Sequence, residues 1–253
     1  MDKAERAIRQ AIIEACRAMN TSGLNQGTSG NISVRHGERL LITPSATSYE
    51  RMTPEMIAAM PLADPSGRFE GPLKPSTEWH FHVAIARTRP EIGAIVHTHS
   101  TFATVLAMAR RDIPACHYMV AAFGGNDVRC ARYATFGTEA LARNVLAALE
   151  GRSACLMANH GMIATGADLE KAMWAAVELE TLARQYWHAL ALGGAVILSD
   201  EEMAEVRGRF GSYGIAAGTP RATPGRGPDD PPQASSVTTP RPRRVRSVRG
   251  SRA

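Results

Sequence analysis

Glu91-Ile92-Gly93-Ala94-Ile95-Val96-His97-Thr98-His99-Ser100 decides how this chain is read. Residues 92–97 are mostly apolar and enriched in branched side chains, which predicts a buried strand. On a strand, residues at i and i+2 point to one face, so His97 and His99 can present two imidazoles to a single point. A second apolar run, Cys155-Leu156-Met157-Ala158, ends in Asn159-His160-Gly161 and sets a third histidine at a strand end. Three imidazoles with one open position are the usual set for a catalytic zinc ion. The remaining histidines fit such a site less well. His80 and His82 are also two apart, but on a predicted helix, where that spacing makes them diverge. His36 falls in a polar turn, His188 falls on a long helix, and His117 is a candidate supporting group. The chain has no HExxH.

The surrounding pattern predicts a mixed α/β fold. Helices are expected over residues 4–20, from Ser76 or Thr77 to 88, over 101–109, from 138, over 168–191 and over 200–210. Strands are expected at 32–34, from Arg39 towards Ser45, at 92–97, 117–120, 154–158 and 162–164. Thr53-Pro54-Glu55 reads as a helix start, residues 61–74 as a loop, and Gly124-Gly125 as a turn. Several hairpin signals among the helices favour an α/β sandwich with a mainly antiparallel sheet over a doubly wound parallel one. No internal repeat is visible.

Length and composition suit one soluble domain of 1–217 with a sizeable core. The net charge of +5 belongs to the other end. From Gly218 onward the chain is rich in Pro, Gly and Ser and carries eight arginines against two aspartates, so the rest is close to neutral. Residues 218–253 are therefore expected to form a disordered basic tail, read as an incidental extension. The body lacks the interleaved aromatic and basic residues of a nucleic-acid surface, and no apolar run reaches membrane-spanning length. Neither nucleic acid nor membrane is an expected partner. The opening residues read as an amphipathic helix and not as a signal peptide, and Cys16, Cys116, Cys130 and Cys155 form no CxxC pair. Together these point to a reduced, cytoplasmic protein.

Two further features carry chemistry. Glu78, in Lys74-Pro75-Ser76-Thr77-Glu78-Trp79, sits where a loop meets a helix. A carboxylate there can be a fourth metal ligand or a general base; the plainer alternative is a first-turn glutamate that satisfies helix N–H groups. Asn25-Gln26-Gly27-Thr28-Ser29-Gly30-Asn31, Thr43-Pro44-Ser45 and Ser76-Thr77 offer hydroxyls and free backbone N–H groups, the means of holding a phosphate without a P-loop. Neither GxxxxGK[ST] nor GxGxxG occurs.

With these stretches in view, the chain resembles the class II aldolase and adducin family, in its L-fuculose-1-phosphate aldolase type. The resemblance is carried by GLNQGTSGNISVR, LLITPS, KPSTEWHFH, IVHTHS, HYMVAAFGG, YATFGT, NHGMIATG and FGSYG, spread in that order over about residues 4–214. It implies a single-domain α/β/α sandwich with a central mainly antiparallel sheet. It further implies one divalent metal per subunit, zinc being the expected ion, on His97, His99, His160 and, at rest, Glu78. Glu78 would leave the metal to act as base. Thr28, Ser29, Asn31, Ser45, Ser76 and Thr77 would hold the substrate phosphate. Tyr118 would donate a proton across a subunit interface, Tyr213 would close over the aldehyde side, and Phe136 and Phe210 would lie near that end of the pocket. The implied assembly is a homotetramer with sites between neighbours. The implied reaction is reversible cleavage of a ketose 1-phosphate, such as L-fuculose 1-phosphate or a 5-deoxy- or 5-methylthioribulose 1-phosphate, to dihydroxyacetone phosphate and an aldehyde. Relatives that epimerise L-ribulose 5-phosphate or decarboxylate sugar-acid phosphates, and non-catalytic adducin-like interaction proteins, are the alternatives. One departure stands out: Ser45-Ala46 replaces the frequent Thr-Gly, and alanine lacks the ease of glycine at positive φ, so the loop is expected to sit slightly differently.

Overall fold

The apolar run around Ile95 forms the central strand of the sheet. The structure, a computed structural model, describes residues 1–64 and 66–210. In chain order, α1 (Lys3–Thr21) precedes β1 (Asn31–His36), β2 (Arg39–Ile42), β3 (Ala58–Pro61), α2 (Trp79–Thr88), β4 (Ala94–Thr98) and α3 (Thr101–Met108). After them come β5 (Ile113–Pro114), β6 (Asp127–Val128), β7 (Cys130–Ala131), α4 (Glu139–Ala148), β8 (Ala154–Met157), β9 (Gly161–Gly166), α5 (Leu169–Ala191) and α6 (Asp200–Phe210). Among the described residues the main sheet runs β3-β2-β1-β4-β9-β8-β7, and every neighbouring pair is antiparallel except β7 with β8. The mainly antiparallel sheet is thus observed.

Alternation along the strands builds the layers. Ala94 and Val96 on β4, with Ile32 on β1, face a core shared with Ile12 and Cys16 of α1, Leu106 of α3 and Leu179 of α5. Ile95 faces the other way, into a core with Phe81 and Ile85 of α2 and Leu141 and Val145 of α4. Each fully buried Ile, Leu, Val or Phe among them contributes about 2 kcal/mol. Helices therefore cover both faces, which gives the α/β/α sandwich. Caps fix where they begin: Asp2 accepts from Glu5 N at 2.8 Å, Thr138 from Leu141 N at 3.2 Å and Asp168 from Lys171 N at 2.8 Å.

Several elements differ from the sequence pattern, among them the short strands β5, β6 and β7, which were not expected. The strand expected at 117–120 is a 3-10 helix, Tyr118–Phe123. His117 Nδ1 accepts from Met119 N at 3.2 Å, and Gly124 ends the turn at φ 95°, so caps at both ends override the apolar run. Thr53-Pro54-Glu55 opens only a 3-10 turn, Pro54–Met56, because Ala58 must already be extended to pair with Ile42 in β3. That strand, Ala-Ala-Met-Pro, carries little β propensity and has no signal of its own. The helix expected from Ser76 starts at Trp79, which leaves Glu78 at the cap position and not in the first turn.

Candidate metal centre and substrate cleft

β4 delivers His97 into the face shared with α2. The ring is fully buried, and its Nδ1 lies 2.8 Å from Met162 O on β9. A carbonyl can only accept, so Nδ1 carries a hydrogen and Nε2 is the nitrogen left for an ion at the centre of the site. His99 follows just beyond the strand end. That end is pinned by Thr98, whose hydroxyl donates to Leu24 O at 2.5 Å. His160 comes from the turn between β8 and β9, after Asn159 at φ 54°. Gly161 is required there: a Cβ would lie 2.6 Å from Thr98 O and 2.9 Å from His99 Cδ2.

Glu78 closes the set. Its side chain makes no capping bond to α2, which excludes the plainer first-turn reading. Instead Oε2 lies 3.1 Å from His97 Nε2, and Oε1 lies 3.0 Å from His160 Nε2. His99 Nε2 lies 3.1 Å from His97 Nε2, and one ligand atom from each of the four residues falls within 4.8 Å of all the others. Oε1 is buried, and its approach to His160 is off the line of a hydrogen bond, so it has no donor. An undonated buried carboxylate oxygen beside three convergent imidazole nitrogens is what a cation would satisfy. Three imidazoles and a carboxylate suit zinc and tolerate other divalent ions.

Among the protein groups alone, the electrostatics are those of one anion among imidazoles. Burial opposes ionisation of Glu78, but the His97 and His160 imidazoles against it outweigh that cost and hold the carboxyl well below its usual range. Burial likewise opposes a charge on His97, and Glu78 overrides it and raises that imidazole above its ordinary value. His99 is pushed down to about 4 by burial and by its two histidine neighbours.

A cleft of about 410 Å³ opens beside this cluster. Thr28, Ser29, Asn31, Ser45, Ser76 and Thr77 line it together with Glu78, His99 and His160, so the sequence-expected polar groups do converge. Ser29 is partly committed, donating to Gln26 O at 2.8 Å. Ser76 Oγ accepts from Glu78 N at 3.3 Å. Asn31 has another engagement: its Nδ2 donates to Glu78 Oε2 at 2.9 Å, and its Oδ1 lies 2.5 Å from His82 Nε2. Ala46 sits on the wall at φ 49°, so it adopts the left-handed conformation that glycine would take with less strain.

Other expected residues lie elsewhere. Phe136 is on the cleft wall, but Tyr118, half exposed, lies with Val206, Arg209 and Phe210 around a separate hollow of about 270 Å³. Within one chain Tyr118 and Phe210 are thus away from the cleft, and Tyr213 lies outside the described residues, as does the segment 218–253. His117 caps its 3-10 helix and stacks on Tyr118 instead of supporting the ligands. A larger groove, about 790 Å³ along α3 and α5, carries none of the four ligands.

Two supports had no recognised signal in the sequence. Glu180 on α5 accepts from Phe102 N and Ala103 N at 2.8 and 2.9 Å and so caps α3, the helix that begins two residues after His99. His82 was set aside as a metal ligand, yet it lies one turn after Glu78 on α2 and is fully buried. Its spacing of four from Glu78 was the available clue.

Comparison with known proteins agrees with this geometry. The family model described as Class II Aldolase and Adducin N-terminal domain matches residues 10–187. A 5-methylthioribulose-1-phosphate/5-deoxyribulose-1-phosphate aldolase of Rhodospirillum rubrum is 52% identical over 214 residues, covering 85% of this chain and 96% of that protein. The L-fuculose phosphate aldolase of Escherichia coli (strain K12) is 46% identical over 209 residues, covering 82% and 96%. A solved L-fuculose 1-phosphate aldolase superposes with a TM-score of 0.77 at 39% identity, covering 81% of this chain and 96% of that one. With its four candidate ligands drawn together at the end of the central strand, this chain belongs to the class II aldolase and adducin family.

Proposed function

We propose that this class II aldolase, a lyase of its family, cleaves a ketose 1-phosphate reversibly to dihydroxyacetone phosphate and an aldehyde. The observation that carries the reading is the convergence of His97, His99, His160 and Glu78 on one point beside a hydroxyl-lined cleft. Those four residues would hold a single divalent ion, zinc for preference. When bound, the ion supplies Lewis-acid charge that lowers the cost of negative charge beside the scissile carbon–carbon bond.

The chain's own residues do the rest. The hydroxyls of Thr28, Ser29, Ser45, Ser76 and Thr77, with Asn31, anchor the phosphate, which fixes the reacting end. In the condensation direction Glu78 Oε1, which has no hydrogen-bond donor, removes the C3 proton of dihydroxyacetone phosphate. Tyr118 donates a proton to the incoming aldehyde oxygen from the neighbouring subunit. Its half-exposed position outside its own cleft supports that role, and exposed Trp174 and Val177 on α5 support a homotetramer. Tyr213 closes the aldehyde side. Residues 218–253 take no part, and deleting them leaves cleavage intact. No described helix is long and apolar enough to cross a membrane.

The test is release of dihydroxyacetone phosphate from a panel of fuculose, rhamnulose, ribulose, 5-deoxyribulose and 5-methylthioribulose 1-phosphates, with a chelated control. Chelator-sensitive release is expected. The ranking names the aldehyde, because one methylene or sulfur is worth about 1–3 kcal/mol in such a pocket. No release by zinc-loaded protein would overturn the aldol reading in favour of epimerisation or decarboxylation.

A further inference from the structure

Behind the cleft, four side chains form one buried hydrogen-bonded line. Ser33 Oγ lies 2.7 Å from His82 Nδ1, His82 Nε2 lies 2.5 Å from Asn31 Oδ1, and Asn31 Nδ2 donates to Glu78 Oε2 at 2.9 Å. Ser33 and His82 are fully buried, and Asn31 and Glu78 nearly so. Two elements supply the line. Asn31 and Ser33 lie on the α2-facing side of β1, and Glu78 and His82 are one turn apart at the start of α2.

The line has a direction, set by its charged end. An ionised carboxylate only accepts, so the Asn31 amide must turn its NH₂ towards Glu78 and its oxygen towards His82. That oxygen demands a donor, so His82 carries its hydrogen on Nε2. Nδ1 is then the acceptor and takes the Ser33 hydroxyl hydrogen. A flipped Asn31 would set a carbonyl oxygen against the carboxylate, and would oblige His82 to move its hydrogen to Nδ1, so the ionised Glu78 and the Nε2–H tautomer of His82 favour the same amide orientation. Burial keeps the His82 ring neutral, its value pushed down to about 3. Phe81 fixes the ring planes, stacked on His82 at 4.6 Å and edge-on to His97 at 5.5 Å.

We propose that His82 is a positioning residue for Glu78, acting through Asn31 to hold Oε2 in place while leaving Oε1 undonated for the reaction. This rests on the reading of Glu78 as ligand and base. The device fixes one carboxylate oxygen and spares the other, which is what a group that both binds an ion and moves a proton requires. It also separates Asn31 from the phosphate-anchoring hydroxyls: one end of its amide belongs to His82, and only the second NH₂ hydrogen remains for substrate.

The test compares His82→Phe, which removes both polar ends, with His82→Gln, whose amide can still donate to Asn31 and accept from Ser33. The readouts are kcat and KM for cleavage, and the visible absorption spectrum of the cobalt-substituted protein, which reports the ligand field whether or not turnover occurs. In His82→Phe, kcat is expected to fall by about 10- to 100-fold, the usual cost of removing a group behind a ligand. KM is expected to stay within about threefold, since the phosphate hydroxyls are untouched, and the cobalt spectrum is expected to shift. His82→Gln is expected to restore both. If His82→Phe does not fold, Ser33→Ala leaves His82 Nδ1 without its partner, loosens the ring and is expected to lower kcat severalfold with an unchanged KM. Wild-type kcat and an unshifted spectrum in the folded variant would overturn the proposal. Near-normal turnover in Glu78→Gln would instead sink the base assignment while leaving the spectral test of His82 intact.

Discussion

At the residue scale, Glu78 and Ala46 carry the sharpest expectations. Glu78→Gln keeps an oxygen for the ion but is a poor base, so turnover is expected to fall by about 10²–10⁴-fold with metal content retained. Metal analysis beside single-turnover kinetics checks this, and turnover within a few fold of wild type would remove Glu78 from proton transfer. Ala46 teaches a different lesson. Its replacement of the family's frequent glycine was legible, and a shifted loop was the natural expectation. The backbone takes φ 49° at Ala46 and accepts the strain. Ala46→Gly relieves a left-handed alanine, so it is expected to raise stability by up to about 1 kcal/mol after the entropy cost of glycine. A lower melting temperature in that variant would show that the conformation is not strained. The four ligands were readable because strand periodicity and one polar turn declare them. His82 was not, since a buried histidine on a helix looks the same from sequence whether it fills space or holds a neighbour.

At the element scale, what was legible followed from pattern strength. The central strand, both flanking hairpin strands and the longest helix came from long apolar periodicity. The 3-10 helix Tyr118–Phe123 did not, because its cap is a histidine side chain that no propensity flags. β3 was hidden for the opposite reason, its Ala-Ala-Met-Pro being held by its neighbour β2. Docking of α1 shows how such tertiary terms act. Glu5, buried, pairs with Arg9 at 2.5 Å and Arg39 at 2.7 Å, while Arg9 also donates to the carbonyls of Pro54 and Ile57. Burial would raise the Glu5 carboxyl, but the two guanidinium groups outweigh it and hold it below its usual range. A folded value below the unfolded one means the contribution is complete above about pH 4.3 and is lost as pH falls through the folded value. Glu5→Gln is therefore expected to cost about 3 kcal/mol at neutral pH, with the gap to wild type closing in acid. A gap that persists at pH 2 would show the loss to be packing and not charge. Glu180 does a related job at α3, and Glu180→Gln, which weakens the cap, is expected to cost about 1 kcal/mol in thermal melts.

At the scale of the whole molecule, metal and fold are linked through the same four side chains. They come from α2's cap, the end of β4 and the β8–β9 turn, so an ion would tie both sides of the sheet's centre to one point. An ion present at 100 times its dissociation constant adds about 2.7 kcal/mol of stability. For a chain of this size that is a shift of roughly 5–10 °C in the melting temperature, expected to vanish with chelator and return with zinc. Protons should compete for the same ligands, and the sign is fixed by the metal-free cluster. His97 there titrates above the ordinary imidazole value of about 6.5, so a proton must leave it before the ion binds. His99, held to about 4, offers no such competition at neutral pH. Metal affinity is thus expected to fall at least about tenfold for each pH unit below the raised His97 value, with the His97 proton released as the ion binds. Calorimetry in two buffers of different ionisation heat reads that proton directly. Release of none at pH 6 would mean that His97 is already neutral before the ion binds, and that Glu78 does not hold a proton on it.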